Sequence, residues 1–133
     1  MPGKQAGITL FTLLALTVPL WFSGHAQADE SQKFTLELGD YRFKPATVTV
    51  VAGRPVELML VNKDVITPHN LSFEAAGTGL DVAVDVQPGK TATIEFTATT
   101  PGRYTFSCDK KLLFGRSHRE RGMEGELVVQ SAP

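Results

Sequence analysis

The sequence predicts an all-β protein folded as an antiparallel β-sandwich of about eight strands. Beyond Asp29, no apolar periodicity typical of a helix persists along the chain. Short segments rich in Val, Thr, Ile and Phe instead carry apolar side chains at every second position. Gly, Pro, Asn and Asp separate these segments, as expected of tight turns between strands.

The predicted strands follow one another at short intervals. In the first, Phe34, Leu36 and Leu38 alternate with polar residues. The others cover residues 47–51, 56–61, 70–73, 82–86, 92–96, 104–108 and 127–129. Within the third strand, Met59 is interpreted as a core residue. Because no internal repeat or linker interrupts the series, we expect one core for the whole folded region.

Residues 1–28 are predicted to be a cleaved signal peptide. Lys4 supplies a positive charge, residues 8–22 form an apolar run, and Ala26-Gln27-Ala28 is a small-x-small cleavage site. The apolar run is short for a membrane span and no basic stop-transfer segment follows it. An uncleaved N-terminal anchor is the alternative. The sequence therefore predicts export to the periplasm and one domain over residues 29–133.

Composition and charge exclude several function classes. The 13 Lys and Arg against 14 Asp and Glu leave no basic excess, so nucleic acid is not an expected partner. A single cysteine excludes an internal disulfide and any multi-cysteine zinc or iron–sulfur site. Neither a Gly-x-Ser-x-Gly nor a His-Glu-x-x-His motif occurs, and no enzymatic activity is predicted.

Four residues could ligate a metal ion: His69, Cys108, His118 and Met123. Taken singly, a histidine in a turn is usually a surface or hydrogen-bonded residue, and a lone Cys or Met is usually part of a core. Together they lie at predicted strand ends or in loops. A thiolate, two imidazoles and a thioether suit copper that alternates between Cu(I) and Cu(II). The combination therefore predicts a site for one copper ion.

Three segments resemble the cupredoxins, the type 1 or blue copper proteins, and in particular their plastocyanin-like branch. These segments are residues 68–70 (Pro-His-Asn), residues 102–108 and residues 118–125. The similarity runs in order through nearly all of residues 33–130. It implies a Greek-key sandwich with one copper ion bound by His69, Cys108, His118 and Met123. It also implies that Asn70 makes hydrogen bonds that tie the two ligand loops together.

The segment between Cys108 and His118 departs from the family pattern. Nine residues, Asp109 to Ser117, separate the two candidate ligands, whereas most cupredoxins have only a few. We expect the longer loop to return His118 to the metal at a small entropic cost. A candidate partner patch lies in this loop, formed by Lys110, Lys111, Leu112, Leu113, Phe114 and Arg116. The alternative is that its three apolar residues fold back onto the sandwich.

These features predict an exported, monomeric copper protein that carries single electrons between redox partner proteins. The patch predicts a transient partner with an acidic docking surface, since opposite charges raise the encounter rate. No stable membrane insertion is expected after cleavage of the signal peptide. Three alternatives stay open: a copper-tolerance or copper-handling protein, a copper-dependent Fe(II)-oxidising accessory of iron uptake, and a metal-free immunoglobulin-like interaction domain.

Overall fold

The computed structural model describes residues 1, 3 and 30–133. The predicted signal-peptide run and its cleavage site lie outside the described residues. The described part contains nine strands and one short 3₁₀ helix, with no α-helix, so the all-β prediction is confirmed. None of its helices is long and apolar enough to cross a membrane.

Two sheets form the sandwich. The four-stranded sheet has the order β2-β1-β4-β7, and the five-stranded sheet has the order β3-β9-β8-β5-β6. The bounds are β1 Gln32–Gly39, β2 Arg42–Lys44, β3 Thr47–Val51, β4 Val56–Asn62, β5 His69–Phe73, β6 Ala83–Val86, β7 Thr91–Phe96, β8 Gly102–Ser107 and β9 Glu124–Gln130, with the 3₁₀ helix η1 at Arg119–Arg121.

The antiparallel prediction needs one correction. Five strand pairings are antiparallel, but β1 pairs with β4, and β3 with β9, in parallel. The chain passes to the other sheet between β2 and β3 and returns before β4, which brings β4 beside β1 in the same direction. Alternation in sequence sets which face a side chain takes and leaves strand direction open. The unpredicted strand β2 has three residues, too few to show alternation.

Strand β4 shows how alternation divides core from surface. Its inward positions Val56, Leu58, Leu60 and Asn62 are buried. Met59 lies between two of them, faces outward and is 39% exposed, so its interpretation as a core residue was wrong. Neighbouring side chains in a strand point to opposite faces, so Met59 faces away from the core that Leu58 and Leu60 enter.

An aromatic cluster supports the end of β8 next to the candidate ligands. The ring of Phe106 meets those of Phe43 and Phe73 edge-on, with centroids 5.0 and 5.6 Å away. Gly125 lies opposite Phe106 in the neighbouring strand β9. A Cβ at Gly125 would come within 2.3 Å of the Phe106 ring, so only glycine leaves room for it. Phe106 is therefore held firmly two residues before Cys108.

Asn62, at the end of β4, anchors the segment that leads to His69. Its buried side-chain amide donates to the carbonyl oxygens of Thr67, at 2.9 Å, and Val86, at 3.0 Å. Its Oδ1 accepts the backbone N–H of Asp64 at 3.0 Å. Two of these hydrogen bonds shape residues 63–68, and the third ties Asn62 to β6.

Replacing Asn62 by alanine should therefore destabilise the protein. Three hydrogen bonds are lost at about 1 kcal/mol each, so we expect the free energy of unfolding to fall by about 3 kcal/mol. Urea unfolding measures this, with Lys63→Ala as the control, since the exposed Lys63 side chain makes only a 3.8 Å ion pair to Glu37. Equal effects of the two substitutions would contradict the anchoring role.

Candidate metal centre

Three buried donor atoms converge at one end of the sandwich. His69 begins β5 and Cys108 follows β8, and the antiparallel register of these strands, Ser72 opposite Ser107, brings the two residues to the same end of the sheet. His118 immediately precedes η1. The Nδ1 atoms of His69 and His118 are 3.2 Å apart, and the Cys108 Sγ lies 3.4 Å from His118 Nδ1 and 3.9 Å from His69 Nδ1.

Backbone hydrogen bonds close the long loop between Cys108 and His118 at its base. The N–H of His118 donates to the carbonyl of Lys110 at 2.8 Å, and an isolated bridge joins Lys111 to Ser117. The extra residues therefore project outward from this base and leave His118 next to Cys108.

Met123 is buried beside these residues. Its N–H donates to the carbonyl of His118 at 3.0 Å, and its carbonyl accepts the N–H of Cys108 at 3.1 Å. Two backbone bonds thus tie Met123 to both ends of the loop. The four residues predicted from the sequence lie at the same end of the sandwich.

Asn70 links the two segments that carry the donors. Its backbone N–H points to the Cys108 Sγ, at 3.3 Å. Its side-chain amide donates to Asp109 Oδ1 at 2.6 Å, and its Oδ1 accepts the N–H of Asp109 at 2.9 Å. These bonds hold the start of β5 against the residue that follows Cys108.

Comparison with known sequences identifies the family of the chain. The profile of the family described as "Cupredoxin-like domain" matches residues 12–129. The chain belongs to the cupredoxin family. It is 30% identical to plastocyanin of Dryopteris crassirhizoma over 105 residues, which are 71% of this chain and 93% of that plastocyanin. Cupredoxins typically carry electrons between redox partners. The prediction that the chain belongs to a family of electron carriers is therefore confirmed.

Solved structures share the same sandwich. Auracyanin of Roseiflexus castenholzii superposes with a TM-score of 0.62 at 22% identity, over 77% of this cupredoxin and 98% of that chain. Auracyanin A of Chloroflexus aurantiacus, described as a "blue" copper protein, gives 0.61 at 20% identity, over 76% and 100%. These similarities confirm the cupredoxin fold predicted from the sequence.

The donor chemistry of the site fits one copper ion. A cysteine sulfur is a soft ligand that favours Cu(I), while imidazole nitrogens accept both copper oxidation states. The cluster of His69, Cys108 and His118 could hold a metal ion as it stands, since all its donor atoms lie within 4.8 Å of one another. The prediction of a copper cofactor is thus confirmed by the family and by the donor set.

The surroundings shift the pKa values of two donors. Burial raises the pKa of the Cys108 thiol above its ordinary value, and the backbone N–H groups of Asn70 and Lys110 offset part of this effect. Burial, followed by the neighbouring His69, lowers the pKa of His118. Without a bound metal, these shifts favour a protonated Cys108 thiol and a neutral His118 imidazole at neutral pH.

Two residues that sequence analysis missed contact the histidines. The Tyr41 ring lies edge-on to His118, with centroids 4.9 Å apart, and the Arg121 guanidinium lies 4.8 Å from the centre of the Tyr41 ring. The Asp64 carboxylate is 2.7 Å from His69 Nε2. Asp64 lies five residues before a candidate ligand, which is a weak signal, while nothing in the strand pattern points to Tyr41.

The candidate partner patch is exposed rather than folded back. Leu113 and Phe114 are 94% and 90% exposed, and Leu112 is also on the surface. Lys110 is held by an ion pair to Asp85 at 2.8 Å, and Arg116 donates to the carbonyl of Glu120. Val65 and Ile66, in the segment that leads to His69, are exposed as well and were not predicted.

The raised pKa of the Cys108 thiol predicts that copper uptake depends on pH. Because the thiol must lose a proton to bind the metal, we expect copper affinity to rise about tenfold per pH unit between about pH 7 and 8. His118 adds little to this slope, since its lowered pKa keeps it neutral there. Competition with a chelator at several pH values measures the slope, with Cys108→Ser as the control that should flatten it. A copper affinity that does not change with pH would contradict Cys108 as a ligand.

Proposed function

We propose that this cupredoxin is an exported, monomeric one-electron carrier of the periplasm. The observation that carries the proposal is the convergence of two imidazole nitrogens and one cysteine sulfur, 3.2 to 3.9 Å apart and buried. Copper held there would exchange one electron by alternating between Cu(I) and Cu(II). Export rests on the signal-peptide features of residues 1–28.

In this proposal His69, Cys108 and His118 would bind copper strongly, and Met123 would bind it weakly. Strand pairing and the backbone bonds at the base of the loop hold these residues next to one another. Asn70 adds an N–H directed at the Cys108 sulfur, which stabilises the thiolate form. Donors held by such contacts need little rearrangement when the charge on a bound metal changes.

The burial of the donors favours electron transfer over copper delivery. Delivery by ligand exchange needs a donor atom of the recipient to approach the metal, as reactive thiols in proteins are partly exposed. Here the side chains of Cys108, His69 and His118 are buried. An electron requires no such access. We therefore place the protein among carriers rather than copper-handling proteins or enzymes.

The docking surface in this proposal is the patch on the long loop. Leu112, Leu113 and Phe114 offer exposed apolar area, and the exposed Lys111 and Arg116 add positive charge. The loop starts at Cys108 and ends at His118, so a partner bound there is close to the proposed ligands. An acidic redox protein fits this surface, because apolar contacts supply affinity and opposite charges speed the encounter.

Titration with Cu(II), followed by visible absorption and electron paramagnetic resonance, tests the site. We expect an intense thiolate-to-copper band at about one equivalent of Cu(II). The band should be lost in Cys108→Ser, changed in His118→Ala and shifted in Met123→Leu. Met59→Leu is the matched control, since Met59 lies on the outer face of β4. Bleaching and return with mild redox reagents, without loss of copper, indicates a carrier.

Absence of the band in the wild-type protein would overturn the copper proposal. A band that Met123→Leu and Met59→Leu leave equally unchanged would remove Met123 from the ligand set. Copper lost on reduction would point to copper handling.

The double substitution Leu113→Ser/Phe114→Ser tests the docking surface. We expect electron transfer with redox-active membranes of the source organism to slow about tenfold, since central apolar residues dominate interfaces. Reaction with hexacyanoferrate should be unaffected. Stopped-flow absorption measures both rates, and Met59→Ser, an exposed apolar residue outside the loop, is the control. Equal rates for the double variant and the control would refute this surface.

A further inference from the structure

We propose that Asp64 is a positioning residue of the metal centre, whose carboxylate orients His69 and lowers the reduction potential of bound copper. The inference deepens the proposed function and rests on it. Its basis is the 2.7 Å contact between Asp64 Oδ2 and His69 Nε2. His69 is fully buried, and the Asp64 side chain is 22% exposed.

The contact decides which nitrogen of His69 is free to bind metal. An ionised carboxylate only accepts hydrogen bonds, so the proton of the neutral imidazole lies on Nε2. The lone pair is then on Nδ1, the atom that lies 3.2 Å from His118 Nδ1 and 3.9 Å from the Cys108 sulfur. Asp64 therefore selects the tautomer that the proposed site requires.

Asp64 is itself held in place on three sides. Its backbone N–H donates to Asn62 Oδ1 at 3.0 Å, and its carbonyl accepts the N–H of Gly89 at 2.9 Å. Its second carboxylate oxygen accepts the N–H of Asp40 at 3.3 Å. A side chain fixed in this way can orient a partner ring, whereas a free surface carboxylate would lose the contact to rotamer motion.

The same carboxylate also reaches the turn that carries Tyr41. Asp40 and Tyr41 both have positive φ angles, 50° and 56°, a conformation that non-glycine residues adopt only when their surroundings hold it. The ring of Tyr41 packs edge-on against both His69 and His118. Asp64 thus supports His69 directly and helps to fix the turn that packs against both imidazoles.

The two histidines differ in the hydrogen-bond partners of their Nε2 atoms. His118 Nε2 is buried and has no hydrogen-bond partner among the described residues. Among the described residues, a carboxylate therefore makes a direct contact to the Nε2 atom of His69 but not to that of His118. Its negative charge next to His69 stabilises the more highly charged Cu(II) relative to Cu(I). The reduction potential falls as a result.

The test compares Asp64→Ala and Asp64→Asn with a charge-matched control, Glu37→Gln. Glu37 lines the same shallow cleft as Asp64 and makes only a 3.8 Å ion pair to Lys63. We expect Asp64→Ala to lower Cu(II) affinity by about 10- to 100-fold and Cu(I) affinity less. The potential should rise by about 59 mV for each tenfold difference between the two losses. Asp64→Asn keeps an oxygen acceptor without the charge, so we expect a smaller rise, and Glu37→Gln should leave the potential unchanged.

Nuclear magnetic resonance of the copper-free protein tests the hydrogen bond independently of the metal. We expect a slowly exchanging His69 Nε2–H signal in the wild type and in Glu37→Gln, and its loss in Asp64→Ala. If Asp64→Ala does not fold, Asp64→Asn carries the comparison. Potentials that change equally in the Asp64 and Glu37 variants, or a His69 proton on Nδ1, would overturn the inference. A wild type that shows the signal but binds no copper would instead overturn the proposed function and the effect on potential, leaving the orienting contact established.

Discussion

The pairing of β5 with β8 is the constraint on which the metal centre depends. It brings His69, at the start of β5, and Cys108, which follows β8, to the same end of the sheet. Both residues are buried, and burying polar groups is costly unless they find partners. Asn70 supplies such a partner for the cysteine and Asp64 for the histidine. The aromatic cluster around Phe106 holds the β8 end of this arrangement in place.

The long loop between Cys108 and His118 adds residues without displacing His118 from the site. Hydrogen bonds at its base keep His118 at the site, so additional length is accommodated on the surface at a small entropic cost. The projecting residues are then available for another role. Their exposure next to the proposed ligands is what joins the electron-transfer site to a docking surface in the proposed function.

Three residues in the segment from Asn62 to Asn70 position the proposed ligands. Asn62 anchors it, Asp64 orients His69, and Asn70 connects it to the residue that follows Cys108. His118 has no comparable hydrogen bond to Nε2 among residues 30–133, and the Tyr41 ring packs more closely against it than against His69. The centre is thus asymmetric, with one imidazole held by a charge and the other by a ring contact.

The sequence alone determined the all-β class, most strand positions, and the residue types that suit copper. Alternation is a local property and Cys, His and Met are rare in this chain, so both could be identified without coordinates. Tertiary structure decided the rest. The parallel pairings, the contacts of Tyr41 and Asp64 with the histidines, and the exposure of Leu113 all depend on which distant segments become neighbours. Local patterns specify the face of a strand but not what packs beside it.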